Sequence, residues 1–236
     1  MAQEQLVAIL AAAAEIRPGE RILDVGCGVG ASARYLAEHF KAQVTGINIS
    51  EAQVKLARSM RECRPSPMFA VMDAEHVGLS SRFDVLWSIE AISHLPRKQE
   101  CFREFVNLTT TGGRIAIVDW FKAENLDADS TRKYIAPIVR GMLLPELNTM
   151  CDYANILSRL GCRIITVRDI SDHVTKTWEI CVELTRLPDI WHFAFSRGSD
   201  FICFLRSFMV MKQAFRAGAF RCGLLIAETR PELAAV

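Results

Sequence analysis

The 236-residue sequence carries almost no net charge, because its 28 basic and 27 acidic residues are interspersed along the chain. No basic stripe is visible, and a nucleic-acid-binding surface needs one, so we expect no nucleic-acid partner. No uninterrupted apolar run is long enough to span a bilayer, which argues against stable membrane insertion. Internal repeats and low-complexity linkers are lacking as well. The length and these absences favour one α/β domain over residues 1–236.

The eight cysteines are scattered, and none forms a CxxC pair. This spacing suggests neither a zinc site nor a disulfide framework, so we expect buried thiols in a reducing, cytoplasmic environment. Carboxylates and histidines with metal-ligand spacing are lacking too, and no metal is predicted. The apolar residues 6–14 are flanked by Glu4 and by no basic residue, which favours a mature helix over a signal peptide.

The informative stretch is residues 21–50, RILDVGCGVGASARYLAEHFKAQVTGINIS. Residues 21–25 predict a short strand, and glycines at positions 26, 28 and 30 follow it at once. Such glycines let the backbone turn sharply and approach a ligand closely. Periodicity then predicts a helix over residues 31–40 and a second strand over residues 43–49. This order is typical of half a nucleotide-binding unit.

The identity of the nucleotide is decided by two side chains. The run Gly26-x-Gly28-x-x-Ala31 also satisfies the loose dinucleotide fingerprint. That fingerprint expects a carboxylate about 20 residues further on, to bind the ribose hydroxyls, whereas the second strand ends on the neutral Asn48. Asp24, just before the first glycine, would repel a pyrophosphate. A carboxylate there suits a ligand with a cationic end, such as S-adenosylmethionine.

Strands alternate with helices along the rest of the chain, which predicts a parallel, doubly wound sheet with helices on both faces. Ligands of such sheets lie outside the carboxyl ends of the strands. Further strands are predicted at residues 68–72, 83–88, 114–120, 161–169 and 220–229. Helices are predicted at residues 3–16, 98–108, 125–144, 149–160, 173–187 and 189–217, and a further helix, capped by Ser50, is predicted from Glu51 to about Arg61.

The last helical stretch, residues 173–217, is unusually rich in aromatic side chains. A long helical excursion before a final strand predicts a lid over a small-molecule pocket. For each aromatic residue, a place in the core between helices is the alternative. The candidates for substrate contact are Trp178, Trp191, Phe204 and Phe208.

Five segments resemble the class I S-adenosylmethionine-dependent methyltransferases, in the branch of the tocopherol C-methyltransferases, plant alkaloid N-methyltransferases and antibiotic sugar O-methyltransferases. They are LDVGCGVG, GINISEAQ, SIEAISHLP, GGRIAIVDW and GAFRCGLLIAETR. The resemblance covers nearly the whole chain and implies a Rossmann-like, doubly wound seven-stranded sheet with the last strand antiparallel and helical lid insertions. Residues 1–121 would be the cofactor-binding half, and residues 122–236 the substrate-facing helical insertions plus the last two strands. The resemblance also implies that S-adenosyl-L-methionine is the cofactor and that the reaction is methylation of a small molecule in secondary metabolism.

The expected cofactor-binding residues lie at strand ends. The Asn48 amide and Gln53, in the next helix, can bond the ribose hydroxyls. The Asp73 carboxylate can accept from the adenine amino group, although ordinary turn chemistry is the alternative for Asp73 and Asn48. The full set is Asp24, Gly26, Cys27, Gly28, Asn48, Ile49, Gln53, Asp73, Ala74 and Ser88.

The chemical centre is expected over residues 90–96. His94 is the natural general base, because its pKa lies near the working pH, and Asp119 at the end of the fifth strand can orient it or share the proton. In the sugar O-methyltransferases that this loop resembles, residues matching His94 and Asp119 are implicated in deprotonation. Glu90 is assigned to an amine or to the methionine end of the cofactor, with a turn-capping role as the alternative.

Two departures from the family pattern bear on these assignments. Ser93 stands where tocopherol and alkaloid enzymes have a glutamate, which weakens a case for a cationic amine nucleophile. Only about 20 residues precede the first strand, a helix plus a turn, so the lid is incomplete, truncated or supplied by a partner subunit, and a homo-oligomer stays open. A non-catalytic S-adenosylmethionine-binding partner protein is the second hypothesis, and a nicotinamide-dependent oxidoreductase the third.

Overall fold

The computed structural model describes residues 2–60 and 64–230. Seven strands form one sheet in the order β3-β2-β1-β4-β5-β7-β6. The strands are β1 Arg21–Val25, β2 Gln43–Asn48, β3 Met68–Val71, β4 Phe83–Ile89, β5 Thr109–Lys122, β6 Arg163–Asp169 and β7 Phe220–Glu228.

Strand directions follow the doubly wound prediction. Strand β1 pairs in parallel with both β2 and β4, so that Asp24 lies opposite Gly46 on one side and Trp87 on the other. The pairs β2·β3 and β4·β5 are parallel as well. Strand β7 is antiparallel, since the Gly112 N–H near the start of β5 donates to the Thr229 carbonyl just past the end of β7. The predicted seven-stranded sheet with an antiparallel last strand is confirmed.

Helices connect the strands. They are α1 Ala2–Ala13, α2 Ala31–Phe40, α3 Glu51–Ser59, α4 Lys98–Leu108, α5 Ala128–Ser130, α6 Ala136–Gly141, α7 Met150–Arg159, α8 Thr177–Leu184, α9 Pro188–Arg197 and α10 Ser199–Arg216. A π-helical turn, Thr131–Ile135, joins α5 to α6, and 3-10 turns occur at Ile92–His94 and Ser171–Val174. Of the helices in the described residues, none is both long and apolar enough to cross a membrane.

The sequence patterns located most of these elements but not all of their limits. The fifth strand, predicted over residues 114–120, extends over Thr109–Lys122. The helical stretch predicted over residues 189–217 is two helices, because Gly198 has a φ of 95° and separates α9 from α10. A non-helical φ of this kind ends the α-helical hydrogen-bond pattern.

The chain forms two compact units. The first contains the described residues within 1–119, 154–167 and 224–236, and the second contains residues 120–153 and 168–223. Buried strand residues make the core of the first unit, among them Trp87, whose Nε1 donates to Ser32 Oγ at 2.9 Å. Aromatic rings dominate the second: Trp120 lies 4.8 Å from Trp178 and 5.2 Å from Phe220, measured between ring centroids. Whether all of these residues form a single domain stays a prediction.

The cysteines are less uniformly buried than predicted. Cys151 and Cys203 are exposed, whereas Cys27, Cys101, Cys162 and Cys222 are buried. The prediction of buried thiols is therefore wrong for the two exposed ones, both of which lie on helices of the second unit. Cys63 lies outside the described residues.

Replacing Gly141 with Ala is expected to destabilise the second unit. An added Cβ would lie 2.4 Å from the Ser207 Cβ of α10 and 3.1 Å from the Cys203 carbonyl oxygen. Overpacking of this kind costs about 1–3 kcal/mol, which exceeds the gain of up to about 1 kcal/mol that alanine brings to a helix. Chemical denaturation should report the loss as a lower midpoint at unchanged m-value.

A matched control is Gly78→Ala. No atom of the described part of the chain lies within 4 Å of the position that a Cβ at Gly78 would occupy. This substitution should leave the unfolding free energy unchanged or raise it by about 0.4–1 kcal/mol, because it restricts the unfolded chain. Equal stability of the two variants would contradict the close packing of α6 on α10.

Candidate functional site

The glycine turn after β1 is anchored to the end of β2. The backbone N–H groups of Gly26 and Cys27 both donate to the Ile47 carbonyl, at 2.9 and 3.0 Å. Gly26 has a φ of 75°, and an added Cβ would lie 2.2 Å from the Ala91 Cβ. Glycine is required there for both reasons, backbone conformation and space. The turn is therefore packed against the loop that follows β4.

Asp24 is a buried carboxylate at the base of this turn. Its side chain lies on β1, the residue is 2% exposed, and Oδ2 has no hydrogen-bond partner among the described residues. Burial raises the pKa of Asp24 to about 7. A buried carboxylate with an unsatisfied oxygen is unfavourable unless it is protonated or meets a cation. The arrangement fits a ligand that presents a positive charge beside the glycine turn.

The end of β2 carries a pair of amides. Asn48 Nδ2 donates to Gln53 Oε1, and the Gln53 N–H donates to Ser50 Oγ at 3.4 Å, so Ser50 caps α3 as predicted. Each amide has more donors and acceptors than this one bond uses, so both keep the capacity to bind hydroxyl groups. Ile49, between them, is 70% exposed, which leaves an apolar side chain at the same strand end.

Asp73 follows β3 and shapes the turn after it. Its Oδ1 accepts from the Glu75 N–H at 2.9 Å, and the Met72 N–H donates to the Asn48 carbonyl at 3.0 Å. The turn chemistry considered as an alternative for Asp73 is therefore present. A carboxylate accepts several hydrogen bonds, so this one does not exclude a ligand. Asp73 and Ala74 are both partly exposed beside the end of β2.

Ser88 links two strands. Its hydroxyl is fully buried and donates to the Val25 carbonyl at 3.0 Å, which ties β4 to the last residue of β1. Glu90, two residues later, has a φ of 54°, an uncommon conformation for a residue with a Cβ, and its N–H donates to the Val118 carbonyl. Strained residues of this kind concentrate at functional loops.

Asp119 supports the loop that carries His94 through a hydrogen bond to the loop backbone. This aspartate is fully buried near the end of β5, and its Oδ2 accepts from the Ser93 N–H at 2.7 Å. The buried Lys98 ammonium donates to the Leu95 carbonyl at 2.9 Å and to the Ser93 carbonyl at 3.3 Å. Ser93, the residue before His94, therefore forms hydrogen bonds through both its backbone N–H and its backbone carbonyl. A buried anion, Asp119, and a buried cation, Lys98, thus support the loop through hydrogen bonds to its backbone.

His94 itself lies at the solvent-facing side of this loop and is exposed. Protein atoms around the ring remove part of its hydration, and this burial, followed by the nearby Lys98 ammonium, lowers the pKa of His94 below its ordinary value. Both causes disfavour the imidazolium ion. The ring is therefore in its neutral, proton-accepting form at pH 7.

The predicted substrate aromatics belong to the second unit and divide into two groups. Trp178 lies 6.5 Å from Phe208, and Phe208 lies 4.8 Å from Phe204, between ring centroids. Trp191 instead contacts Phe195, and its Nε1 donates to the Thr185 carbonyl at 2.6 Å. Trp178, Phe204 and Phe208 thus form part of one aromatic cluster, while Trp191 packs at the start of α9.

Comparison with known proteins agrees with this geometry. A family model described as a methyltransferase domain matches residues 23–117. The chain is 31% identical over 170 residues to 24-methylenesterol C-methyltransferase 3 of Arabidopsis thaliana, with 70% of this chain and 47% of that protein covered. It is 32% identical over 169 residues to the chloroplastic tocopherol O-methyltransferase of the same plant, covering 67% of this chain and 48% of that protein. The chain spans about half the length of these curated relatives.

Among solved structures, the geranyl diphosphate C-methyltransferase of Streptomyces coelicolor A3(2), determined with Mg²⁺, geranyl diphosphate and S-adenosyl-L-homocysteine, has the same fold. The TM-score is 0.76 at 16% identity, with 96% of this chain and 79% of that chain covered. The chain belongs to the class I S-adenosylmethionine-dependent methyltransferases. This family takes its methyl group from S-adenosyl-L-methionine, the cofactor that the sequence resemblance implies.

The residues at the strand ends of this chain suit that cofactor. The buried Oδ2 of Asp24, which has no hydrogen-bond partner within residues 2–60 and 64–230, suits the cationic methionine portion. The backbone of the glycine turn can approach the ligand closely because it carries no Cβ at Gly26 and Gly28. The amides of Asn48 and Gln53 suit ribose hydroxyls, and Asp73 suits the adenine amino group. These individual assignments remain proposals for the methyltransferase.

Three polar residues near the candidate site were not predicted from the sequence. Lys98 holds the His94 loop, and Glu75 and Arg97 form an ion pair between two loops at this edge of the sheet. Arg97 and Lys98 are the two residues that follow the SIEAISHLP segment, and this position next to a family segment is a signal in the sequence. Nothing in the sequence marks the pairing of Glu75 with a residue 22 positions further on.

Proposed function

We propose that this protein transfers a methyl group from S-adenosyl-L-methionine to a small apolar or aromatic metabolite, with His94 as general base and Asp119 as its support. The observation that carries the proposal is the packing of the glycine turn against the His94 loop at Gly26 and Ala91. A cofactor held by Asp24 and the turn would lie beside the loop that carries the base. Methyl transfer needs this proximity, because the nucleophile must lie in line with the methyl–sulfur bond.

The bound cofactor supplies a methyl group activated by a positively charged sulfur. The protein's own residues bind it, orient the acceptor and remove a proton. Neutral His94 can accept a proton from a hydroxyl group or an activated carbon as the new bond forms. Asp119 keeps the loop in place through the Ser93 N–H. Asp24 neutralises the cationic end of the cofactor, and this charge pairing in a buried site orients the methyl group.

The acceptor class is inferred from the second unit and from the relatives. Phe204 is partly exposed beside the buried rings of Trp178 and Phe208 and offers aromatic surface, and the curated relatives are named for sterol and tocopherol substrates. Acceptors of the apolar, natural-product type therefore have the strongest support, with carbon, oxygen or nitrogen as the methylated atom. A proton-accepting His94 favours hydroxyl groups and activated carbons over amines. A cytoplasmic location and a homo-oligomer are part of the proposal.

The test begins with calorimetric titration of the protein with S-adenosyl-L-methionine and S-adenosyl-L-homocysteine, beside NADH. We expect micromolar affinity for the two sulfur ligands and none for NADH. A panel of prenylated hydroquinones, sterols and plant phenols is then incubated with the protein and the cofactor. Methylation adds about 14 mass units, detected by mass spectrometry, with release of one S-adenosyl-L-homocysteine for each product.

Different results point to different functions. Binding of the sulfur ligands without any product across a broad panel supports a non-catalytic cofactor-binding protein. Retention of NADH alone supports an oxidoreductase. Either result would overturn the proposed methyl transfer.

A further inference from the structure

Glu75 and Arg97 connect two loops at the carboxyl ends of the strands. Glu75 Oε1 accepts from the Arg97 backbone N–H at 2.9 Å. Glu75 Oε2 accepts from Arg97 Nε at 3.1 Å and from Nη2 at 2.9 Å. One carboxylate therefore bonds three N–H groups of a single residue. Glu75 lies two residues after Asp73, and Arg97 lies three residues after His94.

This contact is more firmly built than an ordinary surface ion pair. The Glu75 side chain is only 11% exposed, and its bonds to the guanidinium are charge-assisted, with Nε and Nη2 of Arg97 both donating to Oε2. The backbone N–H of Arg97 and then its guanidinium hold the pKa of Glu75 below its ordinary value. Arg97 is also the N-cap residue of α4, where a carboxylate is favoured by the helix dipole. The buried Cys101 thiol, one turn into α4, points to Glu75 Oε1, the oxygen that also accepts from the Arg97 backbone N–H.

Each end of the pair is tied to a residue of the proposed site. On one side, the Glu75 N–H donates to Asp73 Oδ1, so a change at Asp73 reaches the Glu75 backbone directly. On the other side, Arg97 is followed by Lys98, which bonds the carbonyls of Ser93 and Leu95 on both sides of His94. Hydrogen bonds therefore connect Asp73 to Glu75 and Glu75 to Arg97, and the peptide bond from Arg97 to Lys98 continues the connection to the His94 loop.

We propose that Glu75 and Arg97 are positioning residues that couple occupation of the adenine end of the site to the conformation of the His94 loop. The inference rests on the proposed function, since it takes Asp73 as the adenine-binding residue and His94 as the base. Neither Glu75 nor Arg97 needs to touch the reacting atoms. Their role is to order the loop when the adenosyl group is bound.

The test compares loop ordering with ligand affinity. Hydrogen–deuterium exchange of the peptide covering residues 91–97 is measured with and without S-adenosyl-L-homocysteine, and the affinity of the same protein is measured by calorimetry. In the wild-type protein the ligand should slow exchange of this peptide by about tenfold. In Glu75→Gln and Arg97→Gln the ligand should bind within about tenfold of wild-type affinity, while the slowing of exchange is lost. Arg97→Lys, which keeps the charge but loses the fork, should restore it in part.

Arg163→Gln is the matched control. Arg163 pairs with Glu228 at 2.8 Å with half of its side chain exposed, much as Arg97 is, but joins β6 to β7 instead of the two loops. The Arg163→Gln variant should lose a comparable ion pair and keep the full ligand-dependent slowing of exchange in the peptide covering residues 91–97. A purely structural role for Glu75 and Arg97 predicts something else, namely lower thermal stability with the wild-type exchange response retained in all variants.

The outcomes separate this inference from the proposed function. Retained ligand-dependent protection in Glu75→Gln and Arg97→Gln would overturn the coupling and leave the methyltransferase proposal standing. If the wild-type protein binds the ligand but its loop gains no protection from exchange, the coupling is likewise overturned and the methyltransferase proposal stands. A wild-type protein that binds no S-adenosyl-L-homocysteine would overturn both. If one variant fails to fold, the other and Arg97→Lys decide the question.

Discussion

The Asp24→Asn variant is expected to bind S-adenosyl-L-homocysteine at least about 100-fold more weakly than the wild-type protein, because removing one partner of a buried charge pair costs about 3–5 kcal/mol. Asparagine preserves the shape of the side chain and removes its charge. The effect should be large because the Asp24 carboxylate is almost fully buried and Oδ2 has no partner among the described residues. Calorimetric titration gives the ratio of dissociation constants directly.

The affinity of the wild-type protein should also depend on pH. Burial raises the pKa of Asp24 to about 7 in the ligand-free protein, so a cationic ligand must displace a proton below that pH. Affinity should then fall by up to about tenfold for each pH unit below 7 and level off above it. The Asp24→Asn variant should show no such slope. A pH-independent wild-type affinity would mean that Asp24 does not face the cationic group.

Raising the pH should increase ligand affinity through Asp24, but it should lower the stability of the ligand-free protein through the same carboxylate. Its folded-state pKa exceeds the unfolded value of about 3.9, so the folded protein holds a proton that the unfolded chain releases. The unfolding free energy should therefore fall as pH rises from about 4 to about 7, by on the order of 4 kcal/mol. Asp24→Asn should be the more stable protein at pH 8 and the weaker binder.

Asp84→Asn provides the matched control for Asp24. Asp84 lies on β4, and its Oδ2 accepts from the Arg21 N–H at 2.9 Å, so the substitution alters a carboxylate of the same sheet. Its effect on the dissociation constant should be less than about threefold, since surface polar contacts contribute about 1 kcal/mol or less. A comparable loss of affinity in both variants would show a general effect of sheet carboxylates and contradict the role given to Asp24.

His94→Ala is expected to lower kcat by about 10²- to 10⁴-fold, the usual contribution of a positioned general base. The affinity for S-adenosyl-L-homocysteine should stay the same, because the ring is not among the groups proposed to bind the cofactor. Single-turnover measurement on an acceptor identified by the panel separates the chemical step from binding. His39→Gln is the control, since His39 is exposed on α2 and stacks on Tyr35.

The pH profile gives a second test of His94. Burial and the Lys98 ammonium lower the pKa of His94, so the ring stays neutral to a lower pH than an ordinary histidine does. In the wild-type protein kcat should rise with pH and level off, with a midpoint below the ordinary value of about 6.5. Unchanged turnover in His94→Ala would rule out this residue as the base.

Local patterns in the sequence predicted the sheet well. Residues 21–50 carry a buried strand, a turn and an amphipathic helix within one short segment, and each follows from the spacing of apolar residues and glycines. The capping of α3 by Ser50 follows from residue type in the same way. Gly26, Gly28 and Gly30 all have positive φ, as the turn requires.

Features that depend on distant partners were less predictable. The extra length of β5 depends on pairing with the last strand, through bonds such as Gly112 to Thr229. Asp119 supports the His94 loop by accepting a hydrogen bond from the Ser93 backbone N–H, and a pattern of side chains in the sequence does not reveal such a bond. The Glu75–Arg97 contact joins loops that are separate in sequence. Only the folded chain brings such groups together.

The burial of Cys27 has a practical consequence for thiol labelling. Thiolates react with maleimides and thiols hardly do, and burial followed by the charge of Asp24 raises the pKa of Cys27 to about 12. The pKa of Cys101 is raised to about 12 as well, first by burial and then by the charge of Glu75. The thiol inside the glycine turn should therefore resist alkylation at neutral pH. A maleimide fluorophore would react first at exposed positions such as Cys203 on α10, giving an optical probe of the second unit that leaves the cofactor turn unmodified.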